Sequence, residues 1–490
     1  MARKKSSIRA AATEEEREQT YKSFDDILQA AIEQSQNIQA FKGDVFSAED
    51  SLAQLVCLEM PALAPRFLLQ SEGWPLGRFI MVDGFQESCK SSFAYEVGTW
   101  HRKAGGNVTV IETEQKDATD LRDSFFNYDR RAWSHHRARS QQQWNHAFFY
   151  WSTFLKNAMD GVKAKDGNPA MPGFGRTAPF MIMVDSMSSV LVEDQVNQIL
   201  EDGSPKMNHP IHAKLLADFF RVGTKEIVGY PITFLAINHL KMSSDPRMPH
   251  IQVRNLTGGS TPKFQMTTEI ELRRTKSGQQ MRTHKKYGEV YSIPLEMFVR
   301  KNSLAPKESI SVEMCWYFDP EDIDPLTMEK RQKSYFDWHS ASIDLLIDCM
   351  KPGDSGKGLT SARAKALREL IDLNKDGDRR MLTSTTLGIP DTDPLSYYDA
   401  GVLLEKKIKT DSEFAHNIYE ILGIRRRFMF QPGIDIRKQF VENANRLRAA
   451  EQTKAQKMLE EATALAENAE DLFSKSVDDL LGETDDNEPV

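Results

Sequence analysis

Cysteine is scarce in this chain: four in 490 residues (Cys57, Cys89, Cys315 and Cys349), with no C-x-x-C and no close pair. That argues against a disulfide framework or a zinc knuckle and fits a reducing cytoplasm. Long apolar runs are missing too. None approaches the roughly 20 residues that a bilayer-crossing helix needs, so no membrane partner is expected. The opening MARKKSSIRAAATEEE is basic but has no apolar stretch of the secretory kind, and cytoplasmic placement is the expectation. Positive charge is short overall, at a net −8, but the deficit is local. From Glu460 to Val490 eleven acids face the single Lys475, and the remainder is slightly positive. An acidic average therefore does not exclude a nucleic-acid surface elsewhere.

With 40% hydrophobic and 27% charged residues, a chain of this length suggests about two to four units. Residues 11–60 read as amphipathic helices, with apolar positions spaced by three and four in YKSFDDILQAAIEQ. From residue 78 short apolar runs take over: RFIMVDG, NVTVIETE, PFMIMVDS and PITFLAINHL. Each is near-continuously apolar, as parallel strands covered on both faces must be. Helical patterns at Ser91–Lys103, Trp144–Asp160 and His212–Val222 alternate with them, predicting a doubly wound α/β sheet. FQMTTEIELRRT, GEVYSIPLEMFV and SISVEMCWYF then suggest appended antiparallel strands. The expected units are an N-terminal helical, oligomerising arm (1–66), an α/β core (67–320), a mostly helical domain (331–450), and a helix with an acidic, disordered tail (451–490).

The stretch GFQESCKSS follows the strand FIMVD and opens a helix, the setting of a phosphate loop. Phosphates need backbone N–H groups converging at a helix N-terminus, a lysine to reach the outer oxygens and a hydroxyl for Mg²⁺. Lys90 and Ser91 supply the last two. Cys89 stands where a second glycine is usual, at a cost of about 1–2 kcal/mol if the backbone there is left-handed. A helix N-terminus also lowers a thiol pKa, which opens a redox reading of Cys89. Asp185 ends the strand FMIMVD, where a Mg²⁺–nucleotide complex needs a carboxylate. Glu112 and Glu114 alternate across another strand end, and either could orient an attacking water.

The segment HLKMSSDPRMPHIQVRNLTGGSTPK reads as a long loop. Its Lys241, Arg247, Arg254 and Lys263 suit phosphates, its methionines suit unstacked bases, and its paired glycines allow close backbone approach. A second loop (193–212) is more acidic, with Lys214 just beyond it as a further phosphate contact. The basic stretch 273–286 is either a duplex-binding face or a charged strand edge. DLNKDGDRRMLT begins like a calcium loop, yet Thr383 replaces the bidentate glutamate, and a turn between helices is the better reading. His135 and His136 read as part of a polar helical face.

Taken in order, these stretches resemble the RecA recombinase family, phage members included, over about residues 70–320. GWPLGRFIMVDGFQESCKSS is similar to the family's entry into its phosphate loop. VIETEQ resembles the strand bearing the water-activating glutamate, which points to Glu114. IMVDSMSSVL resembles the magnesium-side strand, and FLAINHLK the strand of the γ-phosphate sensor, placing His239 where bacterial members have Gln. GGSTPKF resembles the segment closing the second DNA loop. VRKNSLAP resembles the segment whose cations reach ATP on the neighbouring subunit, implying Lys301 and also Arg300, with Ser303 replacing a second lysine.

The resemblance implies a RecA-type P-loop ATPase core. Gly84, Phe85, Gln86, Glu87, Ser88, Cys89, Lys90, Ser91 and Ser92, with His239, would bind ATP. Ser91 and Asp185 would hold Mg²⁺, and Glu114, Lys90 and Lys301 would be catalytic. Lys214, Lys241, Arg247, Arg254, Gly258, Gly259 and Ser260 would contact DNA. The implied function is ATP-dependent strand exchange by a homo-oligomeric filament on single-stranded DNA, with duplex DNA as second substrate and mediator proteins meeting the tail. A ring-forming helicase-like motor and a non-hydrolysing nucleotide- or DNA-binding structural protein are the alternatives.

Overall fold

The computed structural model describes residues 55–114, 133–162, 171–189, 191–202, 209–244, 252–256, 261–275, 280–284, 288–305, 310–318, 335–351, 359–377, 380–436, 438–439 and single positions between 442 and 463. Leu55–Gln439 forms one compact unit, while Met1–Gln54 and Phe440–Val490 group as a second. In the second, the described positions from Glu442 to Thr463 are helical. The expected N-terminal arm up to residue 54 and the tail beyond 463 lie outside the described residues. Among the described residues no helix is long and apolar enough to cross a membrane.

The first unit is mixed α/β, built on an 11-stranded sheet. Its parallel part runs β5 (Trp133–Arg137), β4 (Asn107–Glu112), β8 (Phe180–Asp185), β9 (Ile232–Ser244), β3 (Phe79–Gly84) and β11 (Thr268–Arg274). Beyond β11 the sheet turns antiparallel through β13 (Gly288–Asn302), β14 (Ile310–Phe318) and β15 (Tyr335–Phe336). Hairpin partners β10 (Gln252–Leu256) and β12 (Gln280–His284) extend β9 and β13. The parallel sheet and antiparallel extension match expectation, except that β11 runs parallel to β3. Of the basic stretch 273–286, the described parts are the end of β11 and the whole of β12, which pairs with β13.

On one face, α3 (Gln141–Asp160) and α5 (His209–Glu226) bury a core in which Phe79, Phe148, Phe219 and Phe234 are fully or almost fully covered. Phe79 lies 4.4 Å from Phe234 and 5.6 Å from Phe148 by ring centroid. Each such ring contributes about 1.5–3 kcal/mol through removal of apolar surface from water. On the other side of the site's helix, α2 (Lys90–Lys103), Phe93 and Trp100 meet Trp74, 6.2 and 5.6 Å away, and Trp338, 6.2 and 6.1 Å away. These edge-on and tilted contacts fix α2 between the sheet and α7 (Trp338–Met350).

The small elements complete the unit. β1 (Val56–Glu59) pairs with β2 (Gly73–Pro75) and, in parallel, with β19 (Phe428–Met429). Residues 56–59 are thus a strand, not the helix expected through residue 60; all but Glu59 are buried, so burial overrides the helical spacing read there. α1 (Leu63–Leu69) follows, and β6 (Gly161–Val162) pairs with β7 (Met171–Pro172). α4 is Glu193–Asp202, and α6 is Thr261–Gln265. Beyond α7 come α8 (Ser361–Leu370), α9 (Tyr397–Thr410) and α10 (Ser412–Leu422), with a three-stranded sheet of β16 (Asn374–Lys375), β17 (Met381–Thr383) and β18 (Leu395–Ser396). The calcium-like stretch lies between the helices α8 and α9, as expected, and its described ends pair as β16 with β17. Asp372 accepts from the hydroxyls and amides of Thr385 and Thr386, which uses its carboxylate as an internal anchor.

Candidate functional site

The site grows from the carboxyl ends of four adjacent parallel strands, β4, β8, β9 and β3, the edge where open α/β sheets place ligands. β3 ends at Gly84, five residues turn, and α2 begins at Lys90. Gly84 is required by space: a Cβ there would stand 2.4 Å from Ser88 Oγ and 2.5 Å from the Leu272 carbonyl. Gln86 and Glu87 are exposed, whereas Ser88, Lys90 and Ser92 are buried. Glu87 is steadied by Arg274 at 3.2 Å. Cys89 caps α2 in the left-handed conformation, φ 62° and ψ 26°, with no side-chain cap bond. The strain anticipated for a non-glycine residue is therefore present.

Lys90 Nζ donates to the Phe85 carbonyl at 2.6 Å and reaches Ser88 Oγ at 3.4 Å. Burial lowers its pKa, and the carboxylates of Asp185, Glu114 and Asp83 work against that shift. Ser91 Oγ donates to Asp185 Oδ2 at 2.7 Å across the gap between α2 and β8. The Asp185–Ser186 peptide is cis. Glu114 lies two residues past β4, and its Oε1 accepts from Ser186 Oγ at 2.6 Å, from Ser189 Oγ, and makes a 2.8 Å contact with His239 Nε2. Lys90, Ser91, Asp185, Glu114 and His239 are therefore one constellation. Glu112 turns instead to His135 Nδ1, 2.7 Å away. That histidine sits on strand β5, not on the helical face expected for it; an edge strand with a solvated side reads as polar, which hid it.

The redox reading of Cys89 finds no support in its electrostatics. Burial pushes its thiol up to about 12, against the pull of Arg274 and Lys90, so the thiolate is disfavoured despite the helix N-terminus.

Two of the expected DNA segments are regular structure. Residues 240–256 are not a loop throughout: β9 continues to Ser244 and pairs back with β10, Leu240 opposite Leu256 and Met242 opposite Arg254. Lys241 is exposed on this hairpin, which leaves the sheet directly beyond His239, itself in register with Gly84. The 193–212 stretch is mostly helix, α4 and the start of α5, with Lys214 exposed on α5. Its polar run misled because α4 is poorly covered, with Leu200 78% exposed. Arg247, Gly258, Gly259 and Ser260 lie outside the described residues. Lys301 is not brought to the 84–92 turn of its own chain; it donates to the carbonyls of Lys263 and Phe264, at 2.9 and 2.7 Å, at the end of α6. Arg300 Nε donates to Glu271 Oε2 at 2.6 Å.

Two groups of residues escaped the sequence reading. Ser186 and Ser189 bind the glutamate, and three serines within DSMSS were the available signal. Below the loop, Asp83, Glu269 and Glu271 form a buried acid cluster. Burial and the neighbouring Glu269 hold the Asp83 carboxyl well above the usual range. Alternating acids in TEIELRR were the sign of it, masked by a strand that otherwise reads as half-solvated. No protein-family model matches the chain, and no curated protein is significantly similar to it.

Proposed function

We propose that this chain is a RecA-type, DNA-dependent ATPase that assembles as filaments on single-stranded DNA and promotes homologous pairing and strand exchange in the cytoplasm. The observation that carries the reading is the convergence of Lys90, Ser91, Asp185, Glu114 and His239 at one end of the parallel strands. A lysine held beside a helix N-terminus suits a polyphosphate, and a hydroxyl 2.7 Å from a strand-end carboxylate is an oxygen pair of the kind Mg²⁺ takes. Mg²⁺, when bound, would neutralise charge on the phosphoryl oxygens. Lys90 and the 84–92 backbone hold the triphosphate of ATP, and Ser91 and Asp185 hold the metal. Glu114 orients water toward the γ-phosphorus, and His239 links that carboxylate to the hairpin bearing Lys241 and Arg254. Lys301, with its neighbour Arg300, belongs by resemblance to the contact with the next protomer's nucleotide. The acidic tail competes with DNA or recruits mediator proteins.

ATP hydrolysis by the full chain, with and without single-stranded DNA, tests the reading. Stimulated turnover that Lys90→Ala abolishes is expected. DNA binding without turnover would sink the ATPase mechanism and favour a structural role.

A further inference from the structure

We propose, on the reading of Glu114 as the carboxylate that positions water, that Ser186 and Ser189 are positioning residues that set the catalytic geometry of Glu114. Glu114 lies beyond the last ladder residue of β4, so the sheet itself does not fix its side chain. A long, rotamer-rich side chain at a strand end needs other groups to hold it. Both hydroxyls converge on a single carboxylate oxygen, Ser186 at 2.6 Å and Ser189 beside it. The two hydroxyls also touch each other, at 2.8 Å, and Ser186 Oγ meets Ser188 Oγ at 3.0 Å.

The turn that presents them is itself anchored to the glutamate's own strand. Thr113 Oγ1 donates to the Ser186 carbonyl and accepts from the Ser186 amide, each at 2.7 Å. The Thr113 amide donates to the Asp185 carbonyl, and the Met187 amide to Ile237, each at 2.9 Å. The turn after β8 is thus tied to β4 and β9 together, and its serines transfer that rigidity to the carboxylate. Charge-assisted hydrogen bonds of this kind are short and directional, as positioning requires. Ser186 is fully buried, whereas Ser189 is exposed yet donates to Glu114 rather than only to water. Its hydroxyl can be removed without opening the core.

The test is steady-state ATP hydrolysis with saturating single-stranded DNA, comparing wild type with Ser189→Ala, Ser189→Thr and the Ser186→Ala/Ser189→Ala double variant. Misplacing a reacting group by an ångström costs on the order of a hundredfold in rate. We expect kcat to fall about tenfold in Ser189→Ala and about a hundredfold in the double variant, by that scale, with KM for ATP unchanged within about twofold. Ser189→Thr, which keeps the hydroxyl, restores kcat to within about threefold by the same reasoning. A wild-type kcat in Ser189→Ala overturns the proposal while the ATPase reading stands. So does a parallel loss of kcat and rise in KM that threonine does not rescue, which would mark a merely structural serine. If wild type itself shows no Lys90-dependent turnover, the ATPase reading falls and this role falls with it.

Discussion

At position 89 the chain places a thiol where the backbone turns left-handed, and the helix behind it starts without a side-chain cap. Cys89→Gly removes the steric penalty of a Cβ in that conformation. It should stabilise the full chain by about 1 kcal/mol, read as a shifted denaturant midpoint. Its half-buried setting also disfavours the thiolate. With its pKa pushed up to about 12, Cys89 is protonated at neutral pH, and alkylation of the native chain at pH 8 should label it far more slowly than after unfolding. Equal labelling in both states would contradict the burial. Burial lowers the pKa of the lysine beside it, and Asp185 and Glu114 oppose that shift, so the loop's chemistry depends on its neighbours more than on its own sequence.

At the scale of elements, α2 is seated by His101, which is wholly buried and bonded to the Val97 carbonyl at 3.0 Å and Thr233 Oγ1 at 3.1 Å. Burial lowers its pKa to about 4, so the folded state holds it neutral while the unfolded chain, near 6.5, takes up a proton. Its stability contribution is complete above pH 6.5 and is lost as pH falls toward 4, about 3 kcal/mol in all. Unfolding titrations should show that slope, and His101→Gln should flatten it. The β9–β10 hairpin gives a second element-level expectation. Lys241→Ala should weaken single-stranded DNA binding for all sequences alike and reduce the log-affinity against log-salt slope by about 0.7. An unchanged slope would remove the hairpin from the proposed DNA surface.

Elements buried on both faces were legible in the sequence, and so was the turn between β3 and α2 that opens a helix at Lys90. β3, β4, β8 and the first half of β9 are apolar because helices cover them, and that coverage writes itself into composition. The polar elements were not legible. α4, β5 and the outer half of β9 have one or both sides in water, so their periodicity is weak and charge or turn residues dominate. In the site, residue types at strand ends announced Asp185 and Glu114, but the partners that hold Glu114 come from a different strand's turn. Only the fold brings Ser186 and Ser189 to it.

For the whole molecule, a buried ion pair joins the last residue of the expected N-terminal arm (1–66) to the expected helical domain (331–450), both within the one unit Leu55–Gln439. Arg66 Nη1 lies 2.9 Å from Glu405 Oε2, with side chains 4% and 7% exposed, joining α1 to α9. Arg66 also donates to the Met60 carbonyl at 2.9 Å and Tyr419 Oη at 3.1 Å. Glu405→Ala leaves a buried guanidinium without its counter-charge and should cost about 3 kcal/mol. The paired change Arg66→Met/Glu405→Leu should recover most of that loss, as measured by chemical denaturation. Failure of the pair to recover would mean that the other Arg66 bonds carry the linkage.

The parallel pairing of β1 with β19, Val56 beside Phe428 and Cys57 beside Met429, works as a clasp that fastens the first strand of the compact unit with nearly its last. The Phe430 amide on the Cys57 carbonyl and the Arg425 amide on the Gln70 carbonyl tighten it. Trimming the acidic tail is therefore safe for this unit only while the cut stays beyond Gln439. A cut before Arg425 undoes the clasp, bares the edge of β1, and turns a deletion meant to expose a DNA surface into a sticky, aggregating chain.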